Sequence, residues 1–277
     1  MNDVCTFRLN EEWYSGCDII ENASGADSIR SIDNPHIWFS HCRWFPHRSL
    51  ARGDSGKKEN IPANKILDLS FYLLLAAIIG SRLFFILINA GHYINHPLDI
   101  FKIWEGGLVF YGGVLLAVPV AVWYVKSHGL DVWSAADIFA PSIAVAHVFG
   151  RLGCLSAGCC HGKPAENLPW GIIFTDPECL APTHILLHPT QLYESTGELL
   201  IFLTLITLRN YKSFRGQLFM MYLILYAVLR FIVELFRGDV GRGFIMGNLS
   251  VSQGISILIF LMGTAGFFSL RGKSRKV

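Results

Sequence analysis

Six long apolar stretches, at roughly 66–88, 108–125, 132–153, 190–208, 216–236 and 249–270, constrain this chain more than any other feature. Each is close to the ~20 residues that a helix needs to cross a bilayer. Lipid offers no partner for unpaired backbone N–H and C=O groups, so helices are the form such stretches take. Composition agrees: 52% of the 277 residues are hydrophobic and only 16% are charged, where soluble domains carry about a quarter charged. The expected fold class is all-α, a polytopic helical membrane protein with six transmembrane helices. A formal charge of +2 from 23 basic and 21 acidic residues gives no reason to expect a nucleic-acid partner. The N-terminus lacks the basic start and apolar run of a cleavable signal, so insertion is expected to rely on the internal helices.

Charge marks the internal boundaries. Residues 1–65 hold 17 of the 44 charged side chains and no apolar run long enough to span. They are expected to be a polar, cytosolic or poorly ordered extension, followed by a membrane domain over 66–270 and a basic cytoplasmic tail over 271–277. Connections on one side carry eleven Lys and Arg residues and those on the other carry four. The positive-inside rule then puts both chain ends in the cytoplasm and the long 154–189 connection outside. That connection holds five of the eleven prolines, so it is expected to be a shaped loop or short re-entrant turns. Ordered loops of this length tend to carry function.

Charges at membrane depth cost about 2.5–3.5 kcal/mol each on insertion scales, so each marks a candidate site. His147 and Arg151 share one helical face, as do Glu194 and Glu198, while Tyr226, Arg230 and Glu234 form a stripe at i, i+4, i+8. Arg82 and Asp137 are further candidates. One reading pairs Arg151 with Glu194 and Arg230 with Glu234 to hold the bundle. The other has the two arginines converge on an anionic head group, since a guanidinium stays charged and donates bidentate hydrogen bonds to phosphate. The glycine pairs 106–107 and 112–113 serve either close helix packing or the approach of a lipid to Tyr111.

Three segments are more specific than any of these signals: Gly106-Gly-Leu-Val-Phe-Tyr-Gly-Gly113, His188-Pro-Thr-Gln-Leu-Tyr-Glu194, and Tyr226-Ala-Val-Leu-Arg-Phe-Ile-Val-Glu-Leu-Phe-Arg-Gly-Asp239. With Gly150-Arg-Leu-Gly153 and Gly162-Lys-Pro164 they resemble the prolipoprotein diacylglyceryl transferase family, from about residue 60 to the C-terminus. The resemblance implies a multi-pass enzyme of the bacterial inner membrane. It would move a diacylglyceryl group from phosphatidylglycerol to the lipobox cysteine thiol of a prolipoprotein signal peptide and release glycerol phosphate. It implies Arg151, Arg230 and Tyr111 as catalytic groups, with Gly112, Gly113, Gln191, Tyr193, Glu194, Tyr226 and Glu234 binding substrate. Tyr111 stands where some members carry a histidine; a phenol, titrating near about 10, is the weaker base. No cofactor is implied, because the phosphate ester already supplies a leaving group. The family has seven spans, so six here imply that the first is missing. The polar run Asn34–Arg52 stands where that span is expected, as a shifted reading frame would leave it.

Cys154, Cys159, Cys160, His161, Cys179, His184 and His188 crowd one connection. They suggest a cysteine-rich branch of the family and leave other classes open. Cys-x4-Cys-Cys-His offers soft ligands without paired C-x2-C spacing, so a membrane metal-binding or thiol-redox protein using Cys154–Cys160 is one alternative. A structural disulfide among these cysteines is another use of them. An inactive family member that binds phosphatidylglycerol, and a transporter or scramblase with broken helices, complete the set.

Overall fold

A computed structural model of the chain describes residues 6–9, 12–15, 61–102, 107–177, 179–238, 244–246 and 249–274. Helices carry the fold. They are α1 (Ala63–Ile88), α2 (Ala90–Asn95), α3 (Phe110–Ser127), α4 (Val132–Ser156), α5 (Thr190–Leu208), α6 (Gln217–Glu234) and α7 (Val251–Ser274). The six long ones fall on the six apolar stretches, with ends displaced by a few residues. Five of them, all except α5, are long and apolar enough to cross a membrane. The chain is a multi-pass helical membrane protein. Residues 34–52, where a seventh span is expected, lie outside the described residues.

The chain divides into two compact units, Phe45–Ile138 and Met1–Trp44 with Phe139–Val277. In the first, α1 and α3 pack backbone to backbone. A Cβ on Gly112 would lie 2.5 Å from the carbonyl oxygen of Gly80 and 2.3 Å from Cβ of Phe84, and one on Gly113 would lie 3.0 Å from the oxygen of Ala77. Gly112→Leu is therefore expected to force the two helices apart, at a cost of at least about 1–3 kcal/mol. Thermal unfolding in detergent should show the loss, while Gly91→Ala, which meets nothing within 4 Å, should leave the midpoint in place.

Arg82 is buried in this unit. Its guanidinium donates to the carbonyls of Asp99, Ile100, Lys102 and Gly107 at 2.6, 3.0, 3.1 and 3.3 Å. The rings of Tyr93 and Phe85 cover it at 5.6 and 5.7 Å, as suits a weakly hydrated planar cation. Arg82 thus ties the 3₁₀ segment Pro97–Phe101 to α1. Asp137, also considered as a site residue, is buried on α4. Its neighbour Asp131 caps that helix, accepting from the Ser134 N–H at 2.8 Å.

In the second unit, α4, α5 and α6 enclose a core of Ala140, Ala144, Ile201, Leu205, Leu218 and Tyr222. The 154–189 connection folds on itself: β3 (Ile172–Phe174) pairs with β4 (Leu186–Leu187), over Leu155, Ile172, Phe174, Ala181 and Leu187. Two strands from the start of the chain, β1 (Thr6–Leu9) and β2 (Glu12–Ser15), extend this sheet in the order β2-β1-β3-β4. A short hairpin, β5 (Phe244–Met246) with β6 (Leu249–Ser250), leads into α7. β1 is hydrogen-bonded along β3, antiparallel to it.

Candidate active site

The buried charges of the second unit gather where α4, α5 and α6 meet the folded connection. Arg151, near the C-terminal end of α4, pairs with Glu194 on α5, Nη2 to Oε1 2.7 Å. The other oxygen of Glu194 faces Arg237, just past α6, at 4.0 Å. One carboxylate is thus shared by two guanidiniums, and the side chains of Glu194 and Arg237 are each only 3% exposed. Arg230 pairs with Glu234 one turn along α6 at 2.6 Å and donates to the Ser252 hydroxyl of α7 at 3.2 Å. Glu234 also accepts from the Ser250 hydroxyl at 2.9 Å. Both ion pairs of the bundle-holding reading are therefore formed.

Tyr226 feels the charges of both pairs. It lies on α6 within electrostatic range of Glu194, Arg230, Arg151 and Glu198 together, and its ring stacks on Tyr222 at 5.8 Å. On its other side His147 tilts against it at 5.5 Å. His147 Nδ1 lies 3.0 Å from the Glu198 carboxylate and 3.1 Å from the Tyr222 hydroxyl. Four polar atoms in this region are buried with no hydrogen-bond partner among the described residues: Oε1 of Glu194 and Oε2 of Glu234, which the ion pairs hold, and Nη1 of Arg230 and Oε2 of Glu198. An unspent guanidinium N–H in a low-dielectric site is a ready donor for an anionic ligand.

The remaining expected residues fall in different places. Gln191 is almost fully buried and donates from Nε2 to the carbonyl of Cys159 at 2.7 Å. Thr190 beside it donates to the carbonyl of Cys160 at 2.8 Å, so the start of α5 clamps the 158–160 turn. Tyr193 points to another cluster: its hydroxyl accepts from Trp170 Nε1 at 2.9 Å, and its ring meets His188 and Phe236. Tyr111, Gly112 and Gly113 belong to the other unit, where Tyr111 is exposed and both glycines are buried. Gly106 lies outside the described residues. A cavity of about 400 Å³ lined by Ser213, Phe214, Gln217, Phe267, Arg271 and Ser274 contains none of these residues.

Arg237, Tyr222 and Ser250 were not foreseen as members of this site. Arg237 sits beyond the apolar part of α6 and reads as a connection residue. Its spacing of seven from Arg230 and three from Glu234 is the signal that continues the polar stripe around the helix end. It is buried because the chain after α6 folds back on the 162–163 segment, where the Lys163 N–H donates to the carbonyl of Phe236 at 2.8 Å.

Cys154, Cys159 and Cys160 form no disulfide, whereas Cys179 is disulfide-bonded. The expectation of a disulfide among these four is corrected accordingly. Hydrogen bonds from Cys154 and Cys159, with the Arg237 guanidinium nearby, hold the Cys160 thiol below the ordinary thiol range. The same thiol contacts push Cys159 upward.

The model of the prolipoprotein diacylglyceryl transferase family matches residues 44–269. A phosphatidylglycerol–prolipoprotein diacylglyceryl transferase of Finegoldia magna is 39% identical over 208 residues, covering 75% of this chain and 79% of that protein. Proteins of the same name from Clostridium tetani and Bordetella avium are 36% and 33% identical, over 75% and 82% of this chain and 81% and 84% of theirs.

Proposed function

Because the chain belongs to the prolipoprotein diacylglyceryl transferase family, we propose that it transfers a diacylglyceryl group from phosphatidylglycerol to the lipobox cysteine thiol of a prolipoprotein signal peptide. Glycerol phosphate leaves, and the product is a thioether. The setting is the bacterial inner membrane, with the 154–189 connection and its sheet on the extracytoplasmic face. Residues 66–270 form the transferase domain and 271–277 a tail that lies against anionic cytoplasmic lipid.

The observation that carries the reading is the pairing of Arg151–Glu194 and Arg230–Glu234 around Tyr226, with Arg230 Nη1 buried and unspent. Cleaving the glycerol carbon–oxygen bond leaves negative charge on phosphate, and donors fixed where that charge develops are the largest single source of catalysis in such reactions. In this assignment Arg151 and Arg230 take the phosphate. Glu194, Glu234 and Tyr226 hold the two guanidiniums in place, and Gln191 fixes the 158–160 turn beside them. Tyr193 would line the path of the peptide, and Tyr111, exposed on the other unit, would meet lipid.

Membranes containing the protein, incubated with phosphatidylglycerol and a lipobox peptide, are expected to yield a peptide heavier by one diacylglyceryl group. The same peptide with serine for the lipobox cysteine should not react. Bound phosphatidylglycerol with no modified peptide would identify an inactive relative and overturn the transferase reading.

A further inference from the structure

The three thiols at the end of α4 have no part in the reaction as described so far. Their sulfurs lie within 4.8 Å of one another, and all three residues are only half-buried. Cys154 is on the last turns of α4. The chain then turns back through Gly158 and Cys160, at φ of 67° and 60°, with the Cys159 N–H donating to the carbonyl of Cys154 at 3.0 Å. A left-handed cysteine is uncommon, and a non-glycine residue persists there when its surroundings hold it. Here the holding groups are the buried side chains of Thr190 and Gln191, bonded to the carbonyls of Cys160 and Cys159. Three reduced thiols are thus converged by a clamped loop, which apolar packing does not require.

We propose that Cys154, Cys159 and Cys160 form a zinc(II) site with an open fourth position, and that the thiol of the acceptor peptide binds there. Soft thiolates select zinc among the abundant cations, and zinc, having no redox chemistry, leaves its thiolates intact. A tetrahedral centre with Zn–S near 2.3 Å sets its sulfurs about 3.8 Å apart, so closing from 4.8 Å takes only small side-chain rotations. Three thiolates and Zn²⁺ leave one net negative charge. Arg151 and Arg237 supply the neighbouring cations, since both interact electrostatically with the cluster. Three protein ligands with a free position are the arrangement of a reactive zinc, where a structural site is closed by four.

The role of the fourth position rests on the transferase reading. A thiol that binds zinc is deprotonated outright, its proton passing to water. The sulfur then forms a bond to the glycerol carbon as that carbon's bond to phosphate oxygen breaks, and the electron pair leaves on glycerol phosphate. Nothing is oxidised or reduced. The product thioether is neutral and a weaker ligand, so water can replace it. Cys154 lies three residues beyond Arg151, on the same helix face, which puts the sulfur site beside the phosphate site.

Full-length protein purified in detergent with zinc(II) is expected to carry about one zinc per chain by elemental analysis. Cys154→Ser and Cys159→Ser should each lose most of it. Zinc-edge X-ray absorption should show three sulfurs and one lighter atom, changing to four sulfurs when a lipobox peptide is added without lipid, and not with the serine peptide. Chelation of the unaltered protein should lower transfer at least tenfold, with zinc(II) restoring it, so the result does not depend on a variant folding. Zinc-free protein with full transfer activity, or a disulfide among the three cysteines, would overturn the site while leaving the transferase reading intact. Unchanged sulfur coordination on adding peptide would overturn the role of the fourth position. One zinc and a fourth sulfur without any thioether product would support the site and sink the transferase reading instead.

Discussion

Arg151→Ala is expected to lower thioether formation from phosphatidylglycerol by at least about 10²–10³-fold, the loss typical when one fixed donor to developing charge is removed. Arg230→Ala should do the same. Arg151→Lys keeps a charge but not the planar fork, so it should recover only part of the rate. Lost activity alone would not separate a phosphate-binding role from a bundle-holding one, because Arg151→Ala leaves Glu194 with Arg237 only. The double change Arg151→Gln with Glu194→Gln removes the 2.7 Å pair together, at the smaller cost of the 4.0 Å contact from Arg237 to Glu194. If Arg151 only holds the helices, the double variant should regain activity; under the phosphate reading it stays inactive while thermal unfolding in detergent returns toward that of the unaltered protein. Full activity in either single alanine variant would discard the assignment.

Glu194→Gln should produce the largest change in stability. Its carboxylate meets Arg151 at 2.7 Å and Arg237 at 4.0 Å, with Glu194 and Arg237 both fully enclosed. Removing one partner of a buried pair costs about 3–5 kcal/mol, because the charge left behind loses the counter-ion that offset its desolvation. The unfolding midpoint in detergent should fall sharply, where Glu166→Gln, on the exposed part of the 154–189 connection, should change it by no more than about 0.5 kcal/mol equivalent. A midpoint for Glu194→Gln equal to that of the unaltered chain would show that the two arginines find their counter-charge elsewhere.

Much of this arrangement is legible in the sequence because lipid makes the rules simple. Apolar length locates the helices, and four-residue spacing puts His147 with Arg151 and Glu194 with Glu198 on inward faces. The partners of those faces follow from charge alone. Three things were not legible. The sheet uses strands of two to four residues, too short for an alternating pattern, in a connection whose prolines argue only against helix. Arg82 donates to four main-chain carbonyls, and no pattern of side chains announces an acceptor that every residue carries. Arg237 is buried by the path of the chain after α6, which local spacing cannot foresee.

One feature of α5 bears on how the protein is made. Glu194 and Glu198 are buried within it, and α5 is the one long helix that falls short of the apolar length for a membrane crossing. Presented alone to the insertion machinery, it would face two penalties of about 2.5–3.5 kcal/mol, one for each carboxylate. The groups that relieve them, His147 and Arg151, are both on α4, which is synthesised just before. The two helices are therefore suited to leave the translocon as a pair, and a nascent chain without α4 should let α5 slip through into the aqueous compartment.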